Sequence, residues 1–172
     1  MENYIVINGK KAELTKEQLE KLGIKVKNKN NPFDRQSDGH NYYYIDEYSE
    51  VRDDIEDGAW CDGAVNRVVN YFNNKEFAEQ VMLHQLLYRK LLKYSYDNDA
   101  EDCEWDGQNT HYLISYDKTN GEGAVARAYR YKIMQGAVYF SKEKVAEQAI
   151  KDVIKPFMKE HPNFKETVQK SH

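Results

Sequence analysis

The spacing of apolar and polar residues predicts a short hairpin followed by a helix at the start of this chain. The β-branched run Tyr4-Ile5-Val6-Ile7 precedes Asn8-Gly9, a pair that favours a tight hairpin turn, and Lys10 to Glu13 fits the returning strand. Thr15-Lys16-Glu17-Gln18 then has the pattern of a helix capping box, and Gly23 closes the helix. Residues 1–24 are therefore predicted to form a small hairpin-helix module.

Residues 25–40, KVKNKNNPFDRQSDGH, have the composition of a linker, with Asn, Pro, Asp, Gly and Ser in close succession. Phe33 is the one residue in this stretch that we expect to anchor on a neighbouring surface. The main domain is predicted to occupy residues 41–164, and residues 165–172 are predicted to form a tail.

An internal repeat organises the main domain. NYFNNKEFAEQ at 70–80 and VYFSKEKVAEQ at 138–148 align with an offset of 68, which places Tyr71-Phe72 on Tyr139-Phe140. An aromatic, β-branched stretch opens each half, at 42–45 and at 112–116, and predicts a strand. A second extended segment is predicted at 64–71 and at 124–140. Gln135-Gly136 leaves open a division of the latter into two strands.

Each repeat is predicted to run into a helix. Asn73 and Ser141 occupy equivalent positions and are favoured N-cap residues, so the helices are expected at 73–95 and 141–158. Apolar residues from Val145 to Met158 recur at helical spacing as one buried stripe, which Pro156 is expected to kink or shorten. Because one copy buries too little apolar surface to fold alone, we predict an α+β fold. In it, two similar strand-strand-helix halves share a mostly antiparallel sheet.

Composition narrows the class of protein. The chain has 172 residues, of which 14 are tyrosine, and its apolar runs are too short to cross a bilayer. The sequence MENYIVING lacks the charged and apolar regions of a secretory signal. Cys61 and Cys103 have no CxxC spacing, as expected in a reducing compartment. These features predict a cytoplasmic protein.

Acidic residues are concentrated in the middle of the chain. The net charge is −4, but residues 41–106 hold 16 acidic and 6 basic side chains. Most of the excess lies in DEYSEVRDDIEDGAWCD at 46–62 and DNDAEDCEWD at 97–106. The carboxylates of these two runs are the predicted partner-binding residues: Asp46, Glu47, Glu50, Asp53, Asp54, Glu56, Asp57, Asp97, Asp99, Glu101, Asp102, Glu104 and Asp106.

No catalytic, metal or cofactor motif is complete in the sequence. The second acidic run lacks the Gly and Glu that an EF-hand loop needs, since Asp102 and Gln108 stand in those places. The five histidines lack the short spacing of zinc ligands, and no nucleophile or phosphate-binding motif occurs. The acidic pairs Asp53-Asp54 and Glu56-Asp57 are expected to be solvated and so unsuited to acid-base catalysis. We therefore predict a protein that is not an enzyme and has no cofactor.

Two binding functions fit these observations. In one, Arg127, Arg130 and Lys132 alternate with Tyr129 and Tyr131 on a strand that stacks on and neutralises single-stranded nucleic acid. In the other, the acidic runs occupy a basic groove of another protein, where carboxylates take the places of phosphates. The acidic character of the whole chain favours the second.

Several segments resemble a group of small phage and prophage proteins from Gram-positive bacteria: NPFDR, YYYIDEYSEV, the YFxxKExAEQ repeat and GAVYFSKEKVAEQAI, within residues 32–155. The opening INGKKAELTKEQLEKLGI is similar to an N-terminal module found on such proteins. The resemblance implies the host bacterial cytoplasm and binding to host machinery, but no active residue. Inhibitors of host defence nucleases, including anti-CRISPR proteins, are one such class, and acidic surfaces that imitate DNA recur among them.

The resulting prediction is a non-enzymatic phage accessory protein that binds and inhibits a host defence nuclease through acidic surfaces. The alternative is a nucleic-acid-binding phage factor that uses the Tyr/Arg-rich strand.

Overall fold

The computed structural model describes residues 4–7, 10–13, 18, 21, 31–98, 108–116, 123–128 and 133–165, which form an α+β fold. The strands are β1 Tyr4–Ile7, β2 Lys10–Glu13, β3 Asn41–Ile45, β4 Val51–Ile55, β5 His111–Tyr116, β6 Gly123–Ala128 and β7 Tyr139–Phe140. The helices are α1 Trp60–Arg67, α2 Lys75–Asn98, α3 Glu143–Ala149 and α4 Lys155–Glu160, with a π-helical turn, Ile150–Ile154, between α3 and α4.

The predicted N-terminal hairpin is confirmed. Strands β1 and β2 pair antiparallel with Tyr4 opposite Glu13 and Ile7 opposite Lys10. The helix predicted after it falls largely outside the described residues, within which Gln18 and Lys21 are helical. Whether residues 1–24 form an independent module stays a prediction.

The β3–β4 hairpin and the β5–β6 hairpin have the same arrangement of strands. In the first, Tyr43 of β3 lies between Asp53 of β4 and Phe72, and it exchanges backbone hydrogen bonds of 2.7 and 2.8 Å with Phe72. In the second, Tyr112 of β5 lies between Arg127 of β6 and Phe140 of β7. In both cases, the repeated Tyr-Phe pair lies on the side of the hairpin's first strand that faces away from its second strand.

The prediction of one shared sheet is wrong for the described strands. They form three separate sheets: β1 with β2, β3 with β4, and a three-stranded sheet in the order β6-β5-β7. Each pairing joins strands close in sequence, and the two later sheets are bridged by helix packing rather than by strand hydrogen bonds. The superposition of the two halves stays a prediction.

The residues shared by the two repeats are of two kinds: apolar residues that are buried in both copies, and polar residues that bond differently in each copy. Phe72, Phe140, Ala78 and Ala146 are all buried. Gln80, in contrast, bonds to residues 163 and 165 near the end of the chain, whereas its counterpart Gln148 bonds to Asp152 one turn further along its own helix. The shared apolar residues therefore form a buried corner between strand and helix in each half, whereas the shared glutamine has a different bonding partner in each half.

The prediction of an extended segment over 64–71 is wrong, because α1 occupies residues 64–67 and a turn follows at 68–69. The start of this helix is fixed by Asp62, whose Oδ2 accepts hydrogen bonds from the backbone N–H groups of Asp57 and Ala59, both at 3.1 Å. Ala59 is the N-cap and has no side-chain acceptor, so only the reciprocal half of a capping box forms. The β-branched residues that suggested a strand lie near the end of α1, and only Tyr71-Phe72 is extended.

Helix α1 ends with a β-branched residue in a left-handed conformation. Val69 has a φ of 58°, and the N–H groups of Asn70 and Val69 bond to the carbonyls of Val65 and Asn66 at 3.1 and 3.0 Å. This is a Schellman motif, in which glycine is the usual residue at the left-handed position because a Cβ atom is strained there.

Val69→Gly is expected to raise the free energy of unfolding by about 1 kcal/mol, since the relief of strain exceeds the entropy that glycine adds to the unfolded chain. Val68→Gly is the matched control, because Val68 is similarly exposed, 71% against 63%, but has a φ of −90°. It should lower the free energy of unfolding by about 0.5 kcal/mol. Urea denaturation measures both, and equal shifts would show that Val69 is unstrained.

In both repeats the helix cap lies one residue after the predicted cap, so α2 begins at Lys75 and α3 at Glu143. Asn74, not Asn73, caps α2 by accepting the N–H of Phe77 at 2.7 Å. In the second half the N-cap is Lys142 rather than Ser141, and its side chain does not bond to the helix end. Asn73 is used differently: it holds the preceding loop by donating to the carbonyls of Asn31 and Asp34 at 2.9 and 3.1 Å.

The main core lies between α2 and the C-terminal helices. Leu83 and Leu87 of α2 pack with Ile154, Phe157 and Phe164. Ile154 and Phe157 belong to the apolar stripe predicted between Val145 and Met158. The helix does not stop near Pro156; instead, the wider π-helical turn precedes it and the helix continues to Glu160. A proline ring crowds the carbonyl one turn before it, and local widening of the helix accommodates such crowding.

Residues 31–40 of the predicted linker pack against the β3–β4 hairpin and the residues that follow it. Phe33 contacts the rings of Phe72 and Phe77 at centroid distances of 5.4 and 5.3 Å, which confirms its predicted anchoring role. Among the described helices, none combines the length and the apolar content required to cross a membrane.

Candidate functional site

Asp46 and Arg52 stabilise the turn of the β3–β4 hairpin. Asp46 Oδ1 accepts the backbone N–H groups of Tyr48 and Glu50, both at 2.9 Å, and its Oδ2 accepts from Arg52 Nε at 2.9 Å. The pKa of Asp46 is lowered, first by the Glu50 N–H and then by Arg52 and the Tyr48 N–H, against the opposing effect of burial. Arg52 also pairs with Glu50 at 2.6 Å. Asp46 therefore serves the turn, and one arginine partly neutralises two of the predicted site residues.

Four carboxylates of the first acidic run are exposed and form no salt bridge with the described residues: Glu47, Asp53, Asp54 and Asp57. We call them the acidic hairpin surface. Strand β4 carries two of them and pairs on one side only among the described strands, so it is an edge strand. Because neighbouring residues of a strand point to opposite faces, Asp53 and Asp54 project on both sides of this edge.

Glu56 does not belong to this surface, and the prediction that it is solvated is wrong. Its side chain is 1% exposed and pairs with Arg35 through both oxygens, at 2.6 and 2.9 Å. The Tyr71 hydroxyl at 2.9 Å and the Gly58 N–H at 3.1 Å complete its hydrogen bonds. The Arg35 hydrogen bond is the largest cause of a lowered Glu56 pKa, with Tyr71 and Gly58 acting in the same direction against burial.

Asp62 is a second buried carboxylate, next to Glu56 in the same network of residues. Besides the two backbone N–H groups at the start of α1, it accepts the Tyr42 hydroxyl at 3.0 Å. Burial raises the pKa of Asp62, but the hydrogen bonds from the Asp57 N–H, the Tyr42 hydroxyl and the Ala59 N–H outweigh it and bring the pKa to about 2. Both buried carboxylates are thus ionised at neutral pH.

Two stacked tyrosines join these carboxylates. The rings of Tyr42 and Tyr71 lie 4.3 Å apart with an interplanar angle of 11°. Burial, followed by the bond to Glu56, raises the pKa of Tyr71 to about 12. Burial and the bond to Asp62 also raise the pKa of Tyr42. The Tyr71 hydroxyl accepts the Gln36 N–H at 3.0 Å, so the network also holds the 31–40 loop.

Helix α1 presents an exposed aromatic ring directly after the acidic hairpin surface in the chain. Trp60, its first residue, is 82% exposed. Cys61 is an exposed free thiol that approaches Asp62 Oδ1 at 3.7 Å. A fully exposed Trp is uncommon in a folded domain, and Trp is enriched among residues that dominate protein interfaces.

The second acidic run falls almost entirely outside the described residues, including Asp99, Glu101, Asp102, Glu104 and Asp106, as does Cys103. Asp97 is described, is exposed at the end of α2 and pairs with Lys93 one turn before it. Most of the alternative nucleic-acid surface, residues 129–132, also falls outside. Where the structure is described, no three His, Cys, Asp or Glu side chains cluster as metal ligands.

Sequence reasoning missed Arg35, Tyr42, Tyr71 and Asp62 as one network. Arg35 lay in a predicted linker, and its partner is 21 positions away. One local signal was present: Asp62 stands three residues after Ala59, the spacing of a capping carboxylate. The tyrosine stack had no comparable signal, because ring contacts across a fold leave no spacing in the sequence.

No protein-family model, no curated protein and no solved structure matches this chain. Function is therefore inferred from the arrangement of its own residues.

Proposed function

We propose that this chain is a non-catalytic protein that binds a basic, nucleic-acid-handling host protein through the acidic hairpin surface. The observation that carries the proposal is the position of four exposed carboxylates, none in a salt bridge with the described residues, along one hairpin that Trp60 follows. Carboxylates projecting from both faces of an edge strand can occupy phosphate sites in a nucleic-acid groove. Trp60 supplies the apolar contact that an electrostatic surface lacks.

The buried carboxylates support a non-catalytic role. General acid-base catalysis needs a group that reaches substrate and exchanges a proton near the working pH. Glu56 and Asp62 instead have both oxygens bound to protein donors and are buried. Their lowered pKa values keep them ionised, and they hold the 31–40 loop and α1 on the hairpin.

The class of partner follows from the acidic charge and from the resemblance to phage proteins. An RNA-guided defence nuclease has a basic nucleic-acid channel, which is complementary in charge to this surface. We propose that the protein inhibits such a nuclease by occupying that channel.

The test measures DNA cleavage by purified RNA-guided nucleases in the presence of this protein, together with direct binding at 50 and 200 mM salt. Asp53→Lys/Asp54→Lys is expected to weaken binding about tenfold at low salt and to reduce its salt dependence. Glu76→Lys/Glu147→Lys is the matched control, because it changes the net charge equally at exposed helix positions away from the hairpin. It should bind as the parent does.

Equal effects of the two double variants would remove the acidic hairpin surface from the mechanism. Unchanged cleavage across the nucleases, together with a shift of labelled single-stranded DNA by the protein alone, would favour the nucleic-acid-binding alternative. A third outcome, normal binding by all variants with aggregation of the Asp53/Asp54 variant, would show that the carboxylates serve only to prevent pairing at the β4 edge.

A further inference from the structure

An apolar groove lies between α2 and the three-stranded sheet. It has a volume of 630 Å³, within the range of small-molecule sites. Its floor is formed by buried side chains from four elements: Leu87 of α2, Leu113 of β5, Phe140 of β7 and Ile154 of the π-helical turn. One wall is the chain segment Gly136, Ala137 and Val138, which leads into β7. This groove shares no residue with the acidic hairpin surface.

The groove follows α2 from His84 to Leu91, a distance of about 10 Å at the rise of an α-helix. A groove of this length and volume accommodates an extended alkyl chain. Some of its lining side chains, Leu91, Ile114 and Val138, are only partly buried and keep apolar surface in contact with water. An apolar ligand would cover that surface and stabilise the folded chain.

A guanidinium on the rim indicates the charge of the ligand. Arg89 lines the groove and donates to Ser49 Oγ at 2.8 Å, but it forms no salt bridge with the described residues. Its remaining N–H groups can bind a carboxylate in a charge-assisted pair. The groove is also lined by three polar side chains without a permanent charge, Gln85, Tyr88 and His84, and His84 donates to the Lys165 carbonyl at 2.7 Å.

We propose that this groove binds a free long-chain carboxylate, with the alkyl chain along α2 and the carboxylate at Arg89. This site goes beyond the proposed partner binding and does not depend on it.

The first test is calorimetric titration of the full chain with octanoate, decanoate and dodecanoate, each below its micelle-forming concentration. The dissociation constant is expected to fall about fourfold per added methylene until the groove is full, as the transfer of a methylene from water predicts. Decyltrimethylammonium, with the same tail as decanoate and the opposite charge, should bind more weakly. Equal affinity for the two decyl compounds, or no dependence on chain length, would overturn the proposal.

Variants locate the site. Arg89→Gln is expected to weaken decanoate binding about fivefold and to strengthen decyltrimethylammonium binding, because it removes a repelling charge. The matched control Lys90→Gln removes a neighbouring exposed cation outside the groove and should bind decanoate as the parent does. Ala137→Phe should fill the groove and weaken binding at least tenfold. If Ala137→Phe fails to fold, the other measurements still decide the proposal. Binding that requires phosphatidylcholine vesicles and is absent with dissolved decanoate would overturn it.

Discussion

Glu56→Ala is expected to lower the free energy of unfolding by about 3 kcal/mol, a large share of the stability of a domain of this size. The substitution leaves the Tyr71 hydroxyl and the Gly58 N–H without their acceptor in a buried environment. It also removes the partner of Arg35. The Arg35 side chain is 43% exposed and can be hydrated, so we expect the lower end of the range for a broken buried ion pair.

Chemical denaturation measures this loss, and two variants separate its causes. Glu56→Gln keeps the shape and one of the two acceptor oxygens but removes the charge, so it should cost about half as much as alanine. Asp53→Ala, at an exposed carboxylate of the same hairpin, should change the free energy of unfolding by less than about 0.5 kcal/mol. A loss for Glu56→Ala as small as that for Asp53→Ala would mean that the network does not stabilise the fold.

The folded state is expected to lose stability steeply as the pH falls from about 4 towards 2. The pKa of Asp62 is about 2 in the folded chain, below its ordinary value of 3.8, and the pKa of Glu56 is also lowered. The unfolded chain therefore binds more protons in this window, and acid favours it. The contribution of these carboxylates is present above their ordinary pKa and lost as the pH falls through the folded values.

The buried tyrosines make the folded state lose stability as the pH rises into the alkaline range. The pKa of Tyr71 is raised to about 12 from its ordinary 10.0, and that of Tyr42 is also raised, so the folded chain keeps its phenolic protons longer than the unfolded chain. Their contribution is present below pH 10 and is lost as the pH rises towards 12.

Circular dichroism recorded as a function of pH measures the unfolding transitions in acid and in alkali. Asp62→Asn should mainly weaken the acid dependence, and Tyr71→Phe should mainly weaken the alkaline dependence. Each should have a smaller effect on the other transition, because Asp62 bonds to Tyr42 and Tyr71 bonds to Glu56. An acid transition in Asp62→Asn as steep as in the parent would assign it to other carboxylates.

The sequence was sufficient for elements whose signals are local. The strands on either side of Asn8-Gly9, the strand at Tyr139-Phe140 and the helix with the apolar stripe after Val145 each depend on signals within a few residues, and the structure contains them. Helix α1 was missed because Val65 within it and Val68 and Val69 directly after it favour strands. The Asp62 cap and the Schellman motif that bound this helix each depend on two hydrogen bonds.

The members of the candidate site were harder to predict, because acidic residues that are close in the sequence have different environments in the fold. Asp54 and Glu56 are two residues apart on the chain, yet one is exposed and the other is buried. The difference arises from Arg35 and Tyr71, which lie 21 and 15 positions away from Glu56. A run of carboxylates in a sequence therefore shows total charge, but not which members reach a partner.

The bonds of α2 to the end of the described chain have a consequence for protein synthesis. Gln80 and His84 bond to residues 163 and 165, between 81 and 85 positions later, and the apolar face beside them packs on Ile154, Phe157 and Phe164. On the ribosome, α2 leaves the exit tunnel long before these partners do, and its leucines stay uncovered meanwhile. At about 5–20 residues per second, that interval lasts several seconds, within which nascent chains on neighbouring ribosomes can associate through this face.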